Sequence, residues 1–194
     1  MEIVDQSWEW EQRPPKNTLE IIENAGRTCY QSEPKNDPEK FVRMLKKNGH
    51  HSVLEHVSAS VRMVTNRGVT HELVRHRLAS FSQESTRYVR YGDIEFIRPV
   101  WWQSMSIHDQ QCWLEHMHSV EAEYLRQLQA GMPPQMAREI LPNAIKTEIV
   151  MTANLREWMH VFKLRCSKKA HPQIAALMNS VRDGFRDHGL WVLF

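Results

Sequence analysis

The chain has 194 residues, of which 41% are hydrophobic and 25% are charged, a composition typical of soluble globular domains. A formal net charge of +2 argues against a general nucleic-acid binder, and the longest apolar runs are too short to span a bilayer. Three widely spaced cysteines and an acidic N-terminal stretch argue against a disulfide framework and an export signal, so we expect one cytoplasmic domain over residues 1–194.

The first half of the chain mixes helical and strand patterns. Residues 17–30 are predicted to form a helix, and Asp37-Pro38 is typical of the start of a second helix. Residues 57–65 alternate apolar and polar side chains with a period of two, which predicts a half-buried strand. Residues 69–77 are helical in character, whereas the serine-rich residues 78–93 are predicted to form a loop that carries hydroxyl groups.

The second half is mainly helical. One long helix is predicted over residues 106–130, with a restart after Pro133-Pro134, and a final helix over residues 172–188. Residues 144–153 are predicted to form a second strand. The sequence predicts a few strands among long helices, without the regular strand–helix–strand alternation of βαβ units. This pattern indicates an α+β fold with mixed helices, a small antiparallel or mixed sheet and no Rossmann domain.

Residues 154–165 are predicted to form a helix that carries polar chemistry. Asn154 followed by Glu157 fits a capping box at its start. Its predicted buried stripe consists of Leu155, Met159 and Phe162. Arg156 and His160 are four residues apart and therefore share a different face of the helix.

An arginine-rich segment spans residues 62–98, with seven arginines, no lysine and four acids. Guanidinium groups suit bidentate contacts with phosphate, so the segment favours an anion or nucleotide site, and the alternative is a solvated face of ion pairs. Arg75, His76 and Arg77 cannot all face one ligand from a regular helix, because neighbours diverge by about 100°. Either the helix unwinds there or the three residues reach different ligands, including ligands across a subunit boundary.

Two common kinds of site find no support in the sequence. His71 and His76 are five residues apart, which turns the second ring roughly 140° away from the first on a helix, whereas a zinc pair needs a spacing of four. We therefore predict no metal and treat the eleven histidines as polar or core residues. Neither G-x-G-x-x-G nor G-x-x-x-x-G-K-[ST] occurs, so phosphate must be held by side chains and helix ends.

A signature occurs at residues 75–85, "RHRLASFSQES", which fits R-H-R, seven residues and then S. On this signature the chain resembles the flavin-dependent thymidylate synthases. The stretches "NGHHSVLEH", "GMPPQMAREILP" and "NLREWMHVFKLR...AHPQI" follow the order seen in that family. The resemblance covers roughly residues 40–180.

The resemblance implies reductive methylation of dUMP to dTMP. Methylenetetrahydrofolate would donate the carbon, NADPH the reducing equivalents, and FAD would carry hydride between them. No cysteine nucleophile is expected, because Cys29, Cys112 and Cys166 lie outside both polar clusters. The resemblance also implies a homotetramer with active sites shared between chains, without nucleic-acid or membrane partners.

The resemblance assigns site residues by position. FAD would contact Ser52, Arg75, His76, Arg77, Gln83, Asn154, Arg156 and His160. Substrate would contact Glu72, Arg75, Gln83, Ser85, Thr86, Arg87, Arg138 and Arg165, with Arg87 and a neighbouring chain's Arg138 on the phosphate. Arg165 would be the main catalytic residue, stabilising an N3-deprotonated uracil by its fixed positive charge. From the residues alone, the favoured interpretation of Arg165 is a helix-terminal cation stabilised by the helix dipole.

Several positions depart from the family's commonest pattern. Ser82-Gln83 stands where Asn-Glu is frequent, Glu72 where Gln is frequent, and His160 where Asn is frequent. The stretch "CSKKAH" before His171 is longer than in some members, which leaves the role of His171 open. The first three changes keep hydrogen-bonding ability.

Two other functions are compatible with the residues. A non-catalytic nucleotide or single-stranded RNA binding module could use the arginines and aromatic residues of 75–102 for phosphate contacts and stacking. Such a module would bind oligonucleotides in a salt-sensitive way. A structural protein with a solvated arginine face would bind no ligand.

Overall fold

The computed structural model describes residues 1–34 and 37–194. Within that part of the chain the elements, in order, are β1 (Glu2–Val4), β2 (Ser7–Gln12), α1 (Thr18–Tyr30), α2 (Pro38–Lys47), β3 (Ser58–Asn66), α3 (Arg67–Leu73), β4 (Ala79–Gln83), β5 (Glu95–Ile97), α4 (Ile107–Gln129), α5 (Pro134–Ala137), β6 (Lys146–Asn154), α6 (Leu155–Arg165) and α7 (Pro172–Phe185). The predicted α+β class is confirmed. None of the helices described is both long enough and apolar enough to cross a membrane.

Most of the predicted elements are present, and their ends have physical causes. The two predicted strands are β3 and β6, and the long helix is α4. Asp37 accepts the backbone N–H of Lys40 at 2.9 Å, which caps α2 as its sequence predicted. Ser106 caps α4 in the same way, accepting from Asp109 at 3.0 Å. The last predicted helix ends earlier, at Phe185, and is followed by a π-helical turn over Arg186–Leu190.

Two predictions around the signature were wrong in detail. The helix predicted over residues 69–77 ends at Leu73, so the R-H-R triplet lies in a turn. The serines predicted on a loop lie partly on β4, where Ser80 and Ser82 are exposed and their neighbours are half-buried. Side chains of a strand alternate between the two faces of the sheet, which explains the alternating burial along β4. β4 is also an edge strand, because it comes last in the sheet order β2-β3-β6-β4.

The buried stripe of α6 also differs from the prediction. Leu155 and Phe162 are buried, and the fully buried residues between them are Trp158 and Val161, while Met159 is half-buried. Trp158 donates its indole N–H to the carbonyl of Ala59 at 3.1 Å and stacks on Phe162 at 5.6 Å. The size of the indole and its satisfied N–H explain why it takes the core position.

The chain forms two compact units. The first comprises Met1–Ser7, Met63–Arg75 and Ser82–Ile149. In it β1 pairs in parallel with β5, in the register Glu2↔Glu95 to Val4↔Ile97. Its core is a cluster around α4 that consists of Ile94, Phe96, Met117, Val120, Tyr124, Leu128, Ala137 and Ile145.

The second unit comprises Trp8–Arg62, His76–Phe81 and Val150–Phe194. It contains residues from all four strands of the β2-β3-β6-β4 sheet, together with α1, α2, α6 and α7. Its core includes an aromatic cluster in which Phe185 lies 4.7 Å from Trp10 and 5.2 Å from Trp158. Gly184 is required there, because a β-carbon at this position would collide with the ring of Trp8. That the whole chain acts as one domain stays a prediction.

Candidate functional site

The polar cluster of the second unit is built where β6 runs directly into α6. Asn154 ends the strand, and its Oδ1 accepts the backbone N–H of Glu157 at 2.9 Å, which starts the helix as the capping box predicted. The carboxylate of Glu157 is turned to His76. The strand, the cap and the buried face of α6 therefore fix the direction in which Glu157 points.

His76 joins Glu157 to Arg165 through the two nitrogens of its ring. Nδ1 of His76 lies 3.2 Å from Oε1 of Glu157, and both side chains are buried, with 3% and 6% of their surfaces exposed. Nε2 of His76 lies 3.0 Å from Nε of Arg165, the last residue of α6. A guanidinium N–H can only donate, so Nε2 accepts and the ring proton lies on Nδ1.

The protonation of His76 follows from these neighbours. Burial, followed by the guanidinium of Arg165, lowers the pKa of His76, and both outweigh the opposite effect of Glu157. His160, whose ring centroid lies 5.6 Å away, acts in the same direction as Arg165. His76 is therefore held as a neutral imidazole.

His76, Glu157 and His160 bring three possible metal-ligand atoms within 4.8 Å of one another. The chemistry of the cluster opposes a cation, because Nε2 of His76 already accepts from Arg165 and the guanidinium would repel a metal. The arrangement thus favours a hydrogen-bonded positioning network.

A cavity of about 760 Å³ opens beside this network in the second unit, within the range of small-molecule sites. Its lining consists of Lys46, His51, Glu55, Leu78, Asn154, Arg156, Glu157, Met159, His160 and Lys163.

The charged residues of the cavity have partners within the unit. Arg156 is paired with Glu55 at 2.5 Å. Lys46 donates to the carbonyl of Leu193 at 2.9 Å, and burial, with Arg43 and Arg186, lowers its pKa. Basic groups outnumber the two carboxylates, so the cavity suits a phosphate-bearing molecule.

The predicted cofactor residues of this unit fall on or beside the cavity. Asn154, Arg156 and His160 line it. Ser52 is exposed on the short 3-10 helix His51–His56, whose residues His51 and Glu55 line the cavity. Arg77 is exposed next to the lining residue Leu78. His76, in contrast, is buried with both ring nitrogens engaged by Glu157 and Arg165, and its contact with FAD stays a prediction.

Among the predicted substrate residues, Gln83 is held by two buried hydroxyls of the first unit. Its side-chain Nε2 donates to Oγ1 of Thr70 at 2.9 Å and to Oγ1 of Thr147 at 3.4 Å. Both threonines are fully buried. Gln83 lies at the end of β4 and is half-buried, so β4 and these hydroxyls together set its position.

A group of donors surrounds Thr86 in the same unit. Nη1 of Arg138 lies 3.4 Å from Oγ1 of Thr86, which is buried, and Nε of Arg87 donates to Gln135 at 3.2 Å. The backbone N–H of Arg87 donates to Oγ of Ser85 at 3.3 Å. Arg138 thus lies beside Thr86 of its own chain. That a neighbouring chain's Arg138 reaches the phosphate stays a prediction.

The remaining predicted substrate residues lie nearby in the sequence. Glu72 is half-buried on α3, and Arg75 is exposed in the turn that follows. Two other arginines of the segment have structural ion pairs: Arg62 lies 2.8 Å from Glu11, and Arg98 lies 3.4 Å from Asp5. Arg62 and Arg98 therefore fit the alternative given for the arginine-rich segment, a solvated face of ion pairs.

The three cysteines differ in their surroundings. Cys29 and Cys112 are exposed on α1 and α4. Cys166 follows Arg165 at the end of α6, where burial raises the pKa of its thiol. A raised pKa disfavours the thiolate, which is the nucleophilic form.

Glu157 and Lys46 are site residues that our sequence reasoning missed. Glu157 was assigned to helix capping alone. The buried positions Leu155, Trp158 and Phe162 place Glu157 at the edge of the buried face, and a carboxylate there signals a specific partner. Nothing in the sequence around Lys46 marks it, since its partners lie near the other end of the chain.

Comparisons with known proteins agree on one family. Residues 13–188 match the family described as thymidylate synthase complementing protein. A flavin-dependent thymidylate synthase of Mycolicibacterium gilvum is 36% identical over 177 residues, covering 81% of this chain and 71% of the relative. One from Geobacter sulfurreducens is 37% identical over 164 residues, covering 79% and 71%.

A solved structure has the same fold. The UMP/dUMP methylase PolB from Streptomyces cacaoi, bound with 5-Br dUMP, superposes with a TM-score of 0.84 at 22% identity. The match covers 100% of this chain and 98% of that one.

Proposed function

This chain belongs to the flavin-dependent thymidylate synthase family, and from that premise we propose that it methylates dUMP to dTMP with FAD as its cofactor. Methylenetetrahydrofolate supplies the carbon, and NADPH supplies the reducing equivalents. The relatives are named for flavin-dependent thymidylate synthesis, and the protein of similar fold is named for methylation of UMP and dUMP.

The observation that carries the substrate assignment is the donor group around Thr86. Arg87 and Arg138 bring two guanidinium groups to a turn that also offers the hydroxyls of Ser85 and Thr86. Charge-assisted bonds from paired guanidiniums and hydroxyls suit a phosphate monoester, such as that of dUMP. Gln83, fixed by Thr70 and Thr147, adds an oriented amide in the same unit.

The cavity of the second unit fits FAD chemically. Arg156, Lys46 and Lys163 provide positive charge for a pyrophosphate, and Asn154 and His160 provide polar groups that can donate or accept hydrogen bonds. When bound, FAD supplies hydride-transfer chemistry that no side chain offers. The work left to the chain is binding, orientation and electrostatic stabilisation.

We assign the contact with the pyrimidine ring of dUMP to Arg165. A guanidinium stays charged at any physiological pH, so it stabilises negative charge that develops on the uracil ring when N3 loses its proton. Its Nε–H is engaged with His76, which fixes one edge of the group. Electron density at C5 of the pyrimidine rises as a result, and C5 is the atom that receives the carbon.

The reaction proceeds without a protein thiol bonded to the base. Burial raises the pKa of Cys166, and the other two cysteines are on exposed helix surfaces. We also propose a homotetramer in the cytoplasm, on the strength of the family resemblance. Size-exclusion chromatography with light scattering tests the assembly directly.

The decisive test combines three measurements on the purified protein. FAD should bind and give a yellow protein, NADPH oxidation should depend on dUMP, and tritium at C5 of dUMP should be released. Omitting folate should stop the formation of dTMP. A protein that cannot be loaded with FAD, or that binds oligonucleotides without turning over dUMP, would contradict the proposal.

A further inference from the structure

The carboxylate of Glu157 needs an explanation beyond helix capping. The cap at the start of α6 uses only the backbone N–H of residue 157, which any residue other than proline provides. Burying a carboxylate costs free energy unless a partner compensates it, and Glu157 has only 6% of its side chain exposed. Its hydrogen-bond partner at that depth is His76.

The pairing determines which nitrogen of His76 carries the proton. With the proton on Nδ1, the ring donates to Glu157 and Nε2 is left to accept from Arg165, at 3.2 Å and 3.0 Å. With the proton on Nε2, two N–H donors would face each other and the carboxylate would lose its donor. The negative charge of Glu157 therefore selects the first arrangement.

The selected arrangement restrains Arg165. A guanidinium is planar, so an acceptor on Nε restricts rotation about the end of the side chain and fixes the plane of the group. Because His76 is buried and its ring is packed beside His160, the acceptor itself cannot move freely. Orientation of this kind matters most when a charge must meet developing charge on a ligand.

We propose that Glu157 and His76 are positioning residues for Arg165. The carboxylate sets the tautomer of the imidazole, and the imidazole holds the guanidinium in the plane it uses on the pyrimidine. The inference rests on the proposed function for the role of Arg165, and it requires no ligand contact from Glu157 or His76.

The first test measures the tautomer in protein free of flavin and substrate. In ¹⁵N-histidine-labelled protein, the two-bond couplings of His76 should show the proton on Nδ1. Glu157→Gln keeps the size of the side chain but removes its charge, so a mixture of tautomers or the Nε2–H form is expected. Glu39→Gln, at an exposed ion pair with Arg43 on α2, is the control and should leave His76 unchanged.

The second test is kinetic. Glu157→Gln should lower kcat by about 10- to 100-fold, the usual cost of losing a residue that orients a functional group. The KM for dUMP and the affinity for FAD should change less than kcat, because glutamine keeps the size of the side chain and a hydrogen-bonding oxygen where Glu157 lines the cavity. Glu39→Gln should keep the kcat of the parent.

The outcomes separate this inference from the proposed function. A proton on Nε2 of His76 in the parent would overturn the positioning role, and so would parental kcat in Glu157→Gln. If the parent never turns over dUMP but its Nδ1–H tautomer is lost in Glu157→Gln, the positioning of Arg165 is supported and the proposed function is what fails.

Discussion

The side-chain amide of Gln83 donates to Thr70 in a direction that the neighbouring bonds fix. Thr70 gives its own hydroxyl proton to the carbonyl of Arg67 at 3.1 Å, so its oxygen can only accept from Gln83. The NH₂ end of the amide is therefore on the threonine side, and Oε1 is the end presented as an acceptor. A glutamate at this position could not donate to Thr70 in the same way.

Thr70→Val should loosen Gln83 and destabilise the protein. The variant leaves the carbonyl of Arg67 and one amide N–H without their partner, at a cost of about 1–3 kcal/mol in the free energy of unfolding. Urea denaturation measures the loss, and dUMP titration should show weaker binding. Thr28→Val is the control, since Thr28 is exposed on α1 and bonds only within its helix. Equal stability of both variants would contradict the role of Thr70.

Arg87→Ala and Arg138→Ala should weaken binding of dUMP through its phosphate. Loss of a charge-assisted bond of about 1.5–3 kcal/mol corresponds to roughly 10- to 100-fold in Kd. Calorimetric titration should show this loss for dUMP but not for deoxyuridine, which has no phosphate. Arg43→Ala, at an exposed pair on α2, serves as the control. A similar loss for both ligands would place the arginines elsewhere than on the phosphate.

Arg165→Ala should reduce turnover severely while FAD stays bound. Removing one preorganised charge from a reacting group typically costs about 10²–10³ in kcat. Flavin absorbance and single-turnover reduction report on the cofactor, and C5-tritium release reports on the pyrimidine. Flavin loss as complete as the loss of turnover would refute the assignment of Arg165 to the substrate.

Replacing all three cysteines with serine should leave turnover unchanged. The thiols of Cys29 and Cys112 are exposed on α1 and α4, and the half-buried Cys166 has a raised pKa that disfavours its thiolate. Activity of Cys29→Ser/Cys112→Ser/Cys166→Ser is the direct measurement, with mass spectrometry to search for a covalent adduct of dUMP in the parent. An adduct on any cysteine would end the thiol-free mechanism.

The stability of the protein should fall as the pH drops below about 6.5, in part because of His76. Burial and Arg165 lower the pKa of this histidine in the folded protein from its ordinary 6.5, despite Glu157, and His160 adds to the lowering. The unfolded chain then takes up a proton at a higher pH than the folded protein does. Protonation of His76 therefore favours the unfolded state below pH 6.5. Above that pH the histidine no longer contributes to the pH dependence of stability.

His76→Gln should make the unfolding free energy less dependent on pH in that window. His71→Gln, an exposed position on α3, should keep the dependence of the parent. Unfolding by guanidinium chloride at a series of pH values gives the free energy of unfolding of each variant as a function of pH. If the unfolding free energy of His76→Gln varied with pH as that of the parent does, His76 would have the same pKa in the folded and unfolded states. That result would contradict the prediction.

The sequence predicted elements best where local chemistry decides them. The alternation in residues 57–65, the cap at Asp37 and the cap at Asn154 are each set by neighbours within a few positions, and all three are present. The strand at Ala79–Gln83 was not predicted, because its partner strand β6 lies far along the chain. Unwinding at the R-H-R triplet was one of two alternatives that the sequence left open, and partners 81 and 89 residues from His76 hold the turn there. Tertiary hydrogen bonds there outweigh local propensity.

The candidate sites follow the same rule. The roles that the family signature gives Gln83, Thr86 and Arg87 stay predictions, and the contacts that hold Gln83 and Thr86, from Thr70 and Arg138, lie 13 and 52 residues away, beyond the reach of local patterns. The N-terminal strand Ser7–Gln12 was overlooked although Trp8 and Trp10 alternate with acids, a pattern typical of a half-buried strand. The role of Glu157 depends on which side of α6 is buried, which the predicted stripe misassigned.

The contact between Gly184 and the ring of Trp8 carries a consequence for mutational tolerance. The indole N–H of Trp8 also donates to Ser180 at 2.9 Å, so the ring is held over this helix and cannot swing aside cheaply. Even alanine at position 184 would have to push the tryptophan out. Random mutagenesis under selection for a folded protein should therefore recover almost no substitutions at Gly184, although this residue is not among those of either candidate site.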